Sequence, residues 1–248
     1  MSTVLARPTP PQIDRRAPEQ NHLLRAFPSS EYERLLPVLE PVHLAVKQLL
    51  CDRDARITHV YFPTTCVASM VNDSEEGSVE VGTVGREGMV GAAVLLHTES
   101  MPTRTFAQIA GSAKRLPVDA LRDAVRRSPD VERLLFRYLQ AFFEEVAQSV
   151  ACNRLHTLEE RCARWLLMTH DRVDGDEFTL TQEFLSYMLG VHRPAVTLAA
   201  GALQHAGVIR YHRGRITVVN RAGLEQASCS CYSVTRAGFR RLLGDRGR

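Results

Sequence analysis

The chain has 248 residues, a formal net charge of +3, 44% apolar and 24% charged residues, the composition of an ordinary globular protein with one large domain or two smaller ones. Collagen-like, coil-only and wholly disordered chains are excluded, and no apolar run approaches the ~20 residues of a membrane span. Six cysteines with no C-x-x-C exclude a disulfide scaffold, a zinc ribbon and a thioredoxin-like motif.

Charge is divided unevenly. Residues 178–248 carry 10 Arg against Glu183, Glu225 and Asp245, a balance of +7, whereas residues 1–177 balance at −4. A basic module on a mildly acidic body points to a polyanion partner, with a merely solvated arginine face as the alternative.

Residues 1–20 contain Pro8, Pro10, Pro11 and Pro18 and no apolar stretch, so they are expected to be a flexible lead-in and not a secretory signal, and the expected location is the cytoplasm. Residues 21–39 have apolar residues at helical spacing, broken at Pro28, so two short helices are predicted, the second capped by Ser29 or Ser30 with Glu33. Residues 41–116 change period. Short alternating runs (Ile57–Phe62, Cys66–Met70, Val79–Val84, Phe106–Ile109) are separated by glycines, prolines and Asn72-Asp73-Ser74, which predicts an antiparallel barrel or roll. Residues 118–127 then predict a helix ended by Ser128-Pro129.

A long helix is predicted over 130–155. Its apolar stripe runs Leu135, Leu139, Phe142, Val146 and Val150, and a stripe of that length calls for a partner along the whole helix; a parallel second copy of the chain is the expected one. Thr157-Leu158-Glu159-Glu160 is a capping box that opens another helix. Beyond it, Thr181 caps a helix with Leu185, Met188 and Leu189 buried; Gly190 makes a tight turn; a second helix follows from His192-Arg193-Pro194; and two strands flank His212-Arg213-Gly214. Helix, glycine turn, helix and basic hairpin form the pattern of a winged helix-turn-helix. In such a unit the start of the second helix, here His192, Arg193 and Thr197, meets base edges in the major groove. Thr181 at the first helix and Arg210, Arg213 and Arg215 on the hairpin would grip phosphates. A helical hairpin with exposed arginines is the structural alternative, and the basic hairpin in this position outweighs it.

With these residues in view, the chain resembles the bacterial Crp/Fnr transcription factors (the cyclic-AMP receptor and fumarate–nitrate regulator family). Phe178 through Arg193 is similar to that family's helix-turn-helix opening, and Leu203 through Ile209 with Arg213-Gly214-Arg215-Ile216 to its helix end and wing. Ser128-Pro129-Asp130 and the long helix resemble its dimerisation helix, and Val90-Gly91-Ala92 with Arg104-Thr105 its phosphate cassette. The resemblance implies an α+β fold with an N-terminal antiparallel β-roll (21–127) similar to a cyclic-nucleotide-binding domain, a dimerisation helix (128–156) and a C-terminal winged helix-turn-helix (157–248). It further implies a homodimer on near-palindromic double-stranded DNA, RNA polymerase as a further partner, and a small-molecule effector whose phosphate would meet Gly91, Arg104 and Thr105.

Two departures qualify that expectation. Ala92 stands where members that bind cyclic AMP carry an acid, and Val146 and Ala147 stand where they carry hydroxyl residues toward the adenine, so ordinary cyclic-AMP binding is not expected. In the reading helix Pro194 and Leu198 replace the family's Glu and second Arg, so the operator should differ from the family's best-known one. Residues 1–50 hold no cysteine, which leaves out an N-terminal iron–sulfur sensor. Cys229 and Cys231 offer two thiolates, too few to close a tetrahedral site, and Cys152, Cys162 and the histidines are scattered along the sequence. No metal and no cofactor is therefore expected. Nucleophile-elbow, P-loop, dinucleotide and His-Glu-x-x-His motifs are missing, so an enzyme is not expected. The rival reading is a nucleotide-binding signalling module that acts through a protein partner.

Overall fold

The computed structural model describes residues 20–75 and 77–244; the predicted lead-in over 1–20 falls, but for Gln20, outside the described residues. Two short helices open it, α1 (His22–Arg25) and α2 (Ser29–Leu35). The predicted serine cap on α2 is not made: Pro28 occupies the cap position and no side chain caps the helix. Pro28 has a φ fixed near the value a helix entry needs, and that puts the cap one residue upstream of the serine pair, which begins the helix.

Seven strands follow: β1 (Glu40–Leu44), β2 (Leu49–Cys51), β3 (His59–Pro63), β4 (Val67–Ser74), β5 (Gly77–Val84), β6 (Arg104–Ile109) and β7 (Gly111–Pro117). They form two antiparallel sheets, ordered β1-β7-β3 and β2-β6-β4-β5, with a 3-10 turn over Ala92–Leu96. The sequence pattern picks out β3 to β6. It misses β1, β2 and β7, because Glu40-Pro41-Val42-His43-Leu44 and Gly111-Ser112-Ala113-Lys114-Arg115 carry polar residues where the roll leaves a face open.

Helix α3 (Val118–Arg127) leads through Ser128, whose hydroxyl caps Val131, into α4 (Pro129–Leu155). Thr157 and Glu160 complete the reciprocal capping box of α5 (Leu158–His170). The C-terminal module contains β8 (Glu177–Thr179), α6 (Gln182–Leu189), α7 (Arg193–His205), β9 (Ile209–His212), β10 (Arg215–Val218) and α8 (Arg221–Ala227), with a sheet ordered β8-β10-β9. The last helix, α9 (Cys231–Leu243), leaves this module and runs back along α4. Its Phe239 and Leu243 join the apolar core shared by the roll and α4. By packing, α9 therefore spans both: its Tyr232 lies in the core of the C-terminal module, and its last turns lie against the long helix and the roll.

Roll and C-terminal module are packed together. Val71 and Phe106 of the roll share a core with Phe184 and Met188 of α6, and the Trp165 indole N–H of α5 donates to Glu80 of β5 at 2.7 Å. A buried ion triad joins three elements: Arg172, just after α5, meets Glu87 of the roll at 2.9 Å and Glu145 of α4 at 3.1 Å. Burial opposes the charge on Arg172, yet the two carboxylates hold its guanidinium above its ordinary value, and burial pushes the Glu145 carboxyl up.

Candidate nucleic-acid interface

The reading unit is built from local rules. The Thr181 hydroxyl accepts from Phe184 N–H at the start of α6. Gly190 ends α6 in the left-handed region (φ 62°), which a side chain would disfavour, and this lets α7 leave at a sharp angle. Arg161 of α5 donates to the Leu189 carbonyl and fixes that end. On α7, Val196, Ala199, Ala200 and Leu203 are buried, and at helical spacing this turns Thr197, Leu198 and Gly201 outward. His192 takes the N-cap position without using its imidazole as a cap, and Pro194 lies in the first turn beside Arg193. No acid stands in that turn, so the positive end of the helix dipole is left open to a phosphate.

The sequence-predicted readers lie together. His192, Arg193 and Thr197 are exposed on one end of α7; Arg193 rests 3.4 Å from Glu183, and the Thr197 hydroxyl donates to the Arg193 carbonyl at 3.1 Å. Leu198 is 74% exposed on the same face, an apolar side chain of the kind that can meet a thymine methyl. In the hairpin, Arg215 pairs with His212, so Arg213-Gly214 is a two-residue loop. Both loop residues have positive φ, 47° and 78°, the mark of a type I′ turn matched to strand twist. Arg210 and Arg213 are exposed, and Arg215 is 3.1 Å from Glu177. The Gly214 carbonyl accepts from Leu180 N–H at 2.7 Å, which seats the wing beside Thr181 and the start of α6.

Residues 160–227 match the Crp-like helix-turn-helix domain family. Over a larger span the fold is similar to solved structures of FixK2 from Bradyrhizobium japonicum (18% identity, 77% of this chain and 98% of that one, TM-score 0.67) and a CRP-family transcriptional regulator from Thermus thermophilus (18%, 75% and 96%, 0.63). It is also similar to CLP, described as a c-di-GMP-responsive global regulator of Xanthomonas campestris (13%, 77% and 99%, 0.61). Residues 160–227 therefore carry a Crp-like helix-turn-helix domain, and the chain as a whole has the fold of these solved structures. No curated protein matches it in sequence.

The residues expected to meet an effector phosphate are engaged elsewhere. Arg104 on β6 grips Asp73 at the end of β4 through two nitrogens, at 2.5 and 3.0 Å. Thr105 is buried in the strand ladder. Gly91, left-handed at φ 87°, opens the 3-10 turn beside Ile57 and Val60, next to the other sheet. Glu87 sits in a turn, accepts from Gly85 N–H and binds Arg172, so it is spoken for by the interdomain triad. A largely apolar cavity lies away from Arg104, Thr105 and Gly91, where the roll, α4, α5 and α9 meet, lined by Leu23, Glu87, Leu134, Arg172 and Phe239 among others.

The long helix α4 divides its apolar residues between two faces. Leu135 is 1% exposed inside the chain's own core, and Phe142 stacks on Tyr138 with ring centroids 6.2 Å apart, close against Gly82. These two expected seam residues are taken up by the roll, because residues 131, 135, 138 and 142 form the stripe that faces it. The outward apolar positions are Phe136, Phe143 (67%) and Val150 (68%), seven residues apart, with the half-buried Leu139 and Val146 between them. That is a 3-4 heptad seam.

The cysteines the sequence scatters are brought together. Near the end of α4, Cys152 Sγ lies 3.5 Å from Cys229 Sγ. Cys231 Sγ, at the start of α9, lies 3.5 Å from His156 Nδ1 and accepts from Gln148 Nε2 at 3.0 Å. Burial pushes the Cys152 thiol up to about 12, helped by the adjacent Cys229 thiol and opposed by Arg164; burial also raises Cys229. No sequence signal shows this grouping, since 77 residues separate Cys152 from Cys229 and only the return of α9 along α4 closes the gap.

Proposed function

We propose that this chain is a Crp/Fnr-type regulator that binds a near-palindromic DNA site as a homodimer, reading bases with His192, Arg193, Thr197 and Leu198 and holding phosphates with Thr181, Arg210, Arg213 and Arg215. The observation that carries the reading is the exposed, acid-free start of α7 set beside an arginine-tipped wing. The heptad seam Phe136–Leu139–Phe143–Val146–Val150 supports pairing with a second copy, because an apolar stripe of this period is matched by an identical parallel helix. Two-fold symmetry then sets the two reading helices about one turn of DNA apart, ~34 Å.

The β-roll does not hold cyclic AMP in the usual way. Ala92 offers no carboxylate to a ribose, Arg104 is paired with Asp73, and Val146 and Ala147 offer no hydroxyl. A change in the roll would reach the reading head through the contacts that join them, the Arg172–Glu87–Glu145 triad, the Trp165–Glu80 bond and the core shared with α6, as a shift between orientations of the two heads.

Selection of bound duplexes from a random pool tests the reading. Enrichment of two inverted half-sites about 10 base pairs apart is expected. Failure to enrich any sequence, or enrichment of a single unrepeated half-site by a monomer, overturns it. Calorimetry with cyclic AMP, cyclic GMP and cyclic di-GMP tests the roll, with no heat expected from cyclic AMP.

A further inference from the structure

We propose that Cys152, His156, Cys229 and Cys231 form a binding site for one zinc ion. The four ligand atoms, three Sγ and an imidazole nitrogen, all lie within 4.8 Å of one another. Three thiolates and one imidazole are a set that structural zinc takes. With Zn–S near 2.3 Å and Zn–N near 2.0 Å, the edges of such a tetrahedron are roughly 3.5–3.8 Å. Two of the ligand pairs, Cys152–Cys229 and Cys231–His156, are each 3.5 Å apart, so small side-chain movements close the shell. A multi-iron cluster holds its thiolates around a larger body and suits this spacing less well.

The surroundings fit an anionic metal–thiolate group. The Gln148 side-chain N–H already donates to Cys231 Sγ, the kind of outer hydrogen bond that orients a metal ligand. Arg164 is 7% exposed, its Nε has no partner, and its charge acts on Cys152; it would offset the net negative charge of zinc with three thiolates. Cys152, Cys229 and Cys231 are buried and form their own small cluster apart from the main cores, while His156 is half-buried and leaves an entry side. On binding, the three S–H bonds lose their protons to solvent, three Zn–S bonds and one Zn–N bond form, and nothing is oxidised.

The location gives the ion a structural task. His156 caps the end of α4, and Thr157 next to it caps α5, so the site lies at the joint between the long helix and the reading module. Cys229 and Cys231 bracket the entry to α9. Zinc would tie this end of α9 to α4 and stiffen the joint.

The test uses the full chain, reduced and stripped by a chelator, titrated with Co²⁺. One equivalent per chain is expected, with a thiolate-to-cobalt charge-transfer band and the intense visible bands of a tetrahedral ion; Zn²⁺ should displace it and raise Tm. X-ray absorption of the zinc form should show three sulfurs near ~2.3 Å and one nitrogen near ~2.0 Å. Cys229→Ser and Cys231→Ser should each weaken cobalt binding more than ~tenfold. His156→Ala, at a half-exposed helix end, serves where a cysteine variant fails to fold and should lose the nitrogen signal. Cys66→Ala, in the roll, should bind as the wild type does. Absence of stoichiometric cobalt with thiolate bands overturns the proposal, as does binding unchanged in the Cys229→Ser/Cys231→Ser double variant or a Cys152–Cys229 disulfide in place of metal. None of these readouts depends on DNA binding.

Discussion

Arg193 and Arg213 are both exposed arginines of the same module, yet their placement assigns them different work. Arg193 stands at the first turn of α7, from which, in the proposed complex, its guanidinium would meet guanine O6 and N7 with two hydrogen bonds. Arg193→Ala should therefore cost about 1–3 kcal/mol on a selected site and relax the preference at one base pair in each half-site. Arg213 sits at the tip of the wing turn, so Arg213→Ala should weaken binding evenly across sequences and reduce the salt slope by about 1 for each wing. Titration by fluorescence anisotropy at several salt concentrations separates the two; a sequence-independent loss from Arg193→Ala would remove it as a reader. Both residues were legible in the sequence because glycine, proline and cap positions set the turn and the hairpin locally. Leu198 was legible as an outward position, since Val196, Ala199 and Leu203 fill the inner face, but not as a contact, because the resemblance puts an arginine there and a leucine offers no hydrogen bond.

At the scale of elements, the proposed dimer rests on α4. Its sequence shows an apolar stripe, but a 27-residue helix with neighbours on several sides has more than one. The roll takes Leu135 and Phe142; the outward seam keeps Phe143 and Val150. Phe143→Glu should halve the solution mass measured by light scattering, with helicity by circular dichroism unchanged, and should abolish preference for paired half-sites. Leu135→Ala should leave the mass of the assembly unchanged and cost ~2–5 kcal/mol of stability, as deletion of a fully buried leucine does. If Phe143→Glu stays dimeric, the seam is misplaced.

At the scale of the whole molecule, the contact between roll and reading module contains a titrating group. Part of Glu80 reaches the surface, but its carboxyl is enclosed by Ser69, Thr83 and Trp165. Burial pushes it up from 4.5 to about 7, against the pull of those hydrogen bonds. Folding thus favours its neutral form, so the contribution is most favourable below pH 4.5 and is lost as pH rises through about 7. Between pH 5 and 8 the wild type should lose ~1–2 kcal/mol that Glu80→Gln does not lose, after discounting for its partial exposure. Thermal melts across that range check it, and equal pH slopes in the two proteins would refute it. Among the described residues no helix is long and apolar enough to cross a membrane.

Local chemistry in the sequence was enough for the Thr157–Glu160 capping box, the glycine turn, the two-residue wing and the basic surplus after residue 178, because each depends on residues within a few positions of one another. The sequence therefore determined a winged helix-turn-helix behind a β-roll and a long helix. Tertiary structure alone decided which stripe of α4 stays open, that Arg104 is held by Asp73, and that α9 folds back to set Cys229 and Cys231 against Cys152 and His156. Those outcomes depend on groups brought together across tens of residues, and packing between distant segments leaves no periodic trace in the chain.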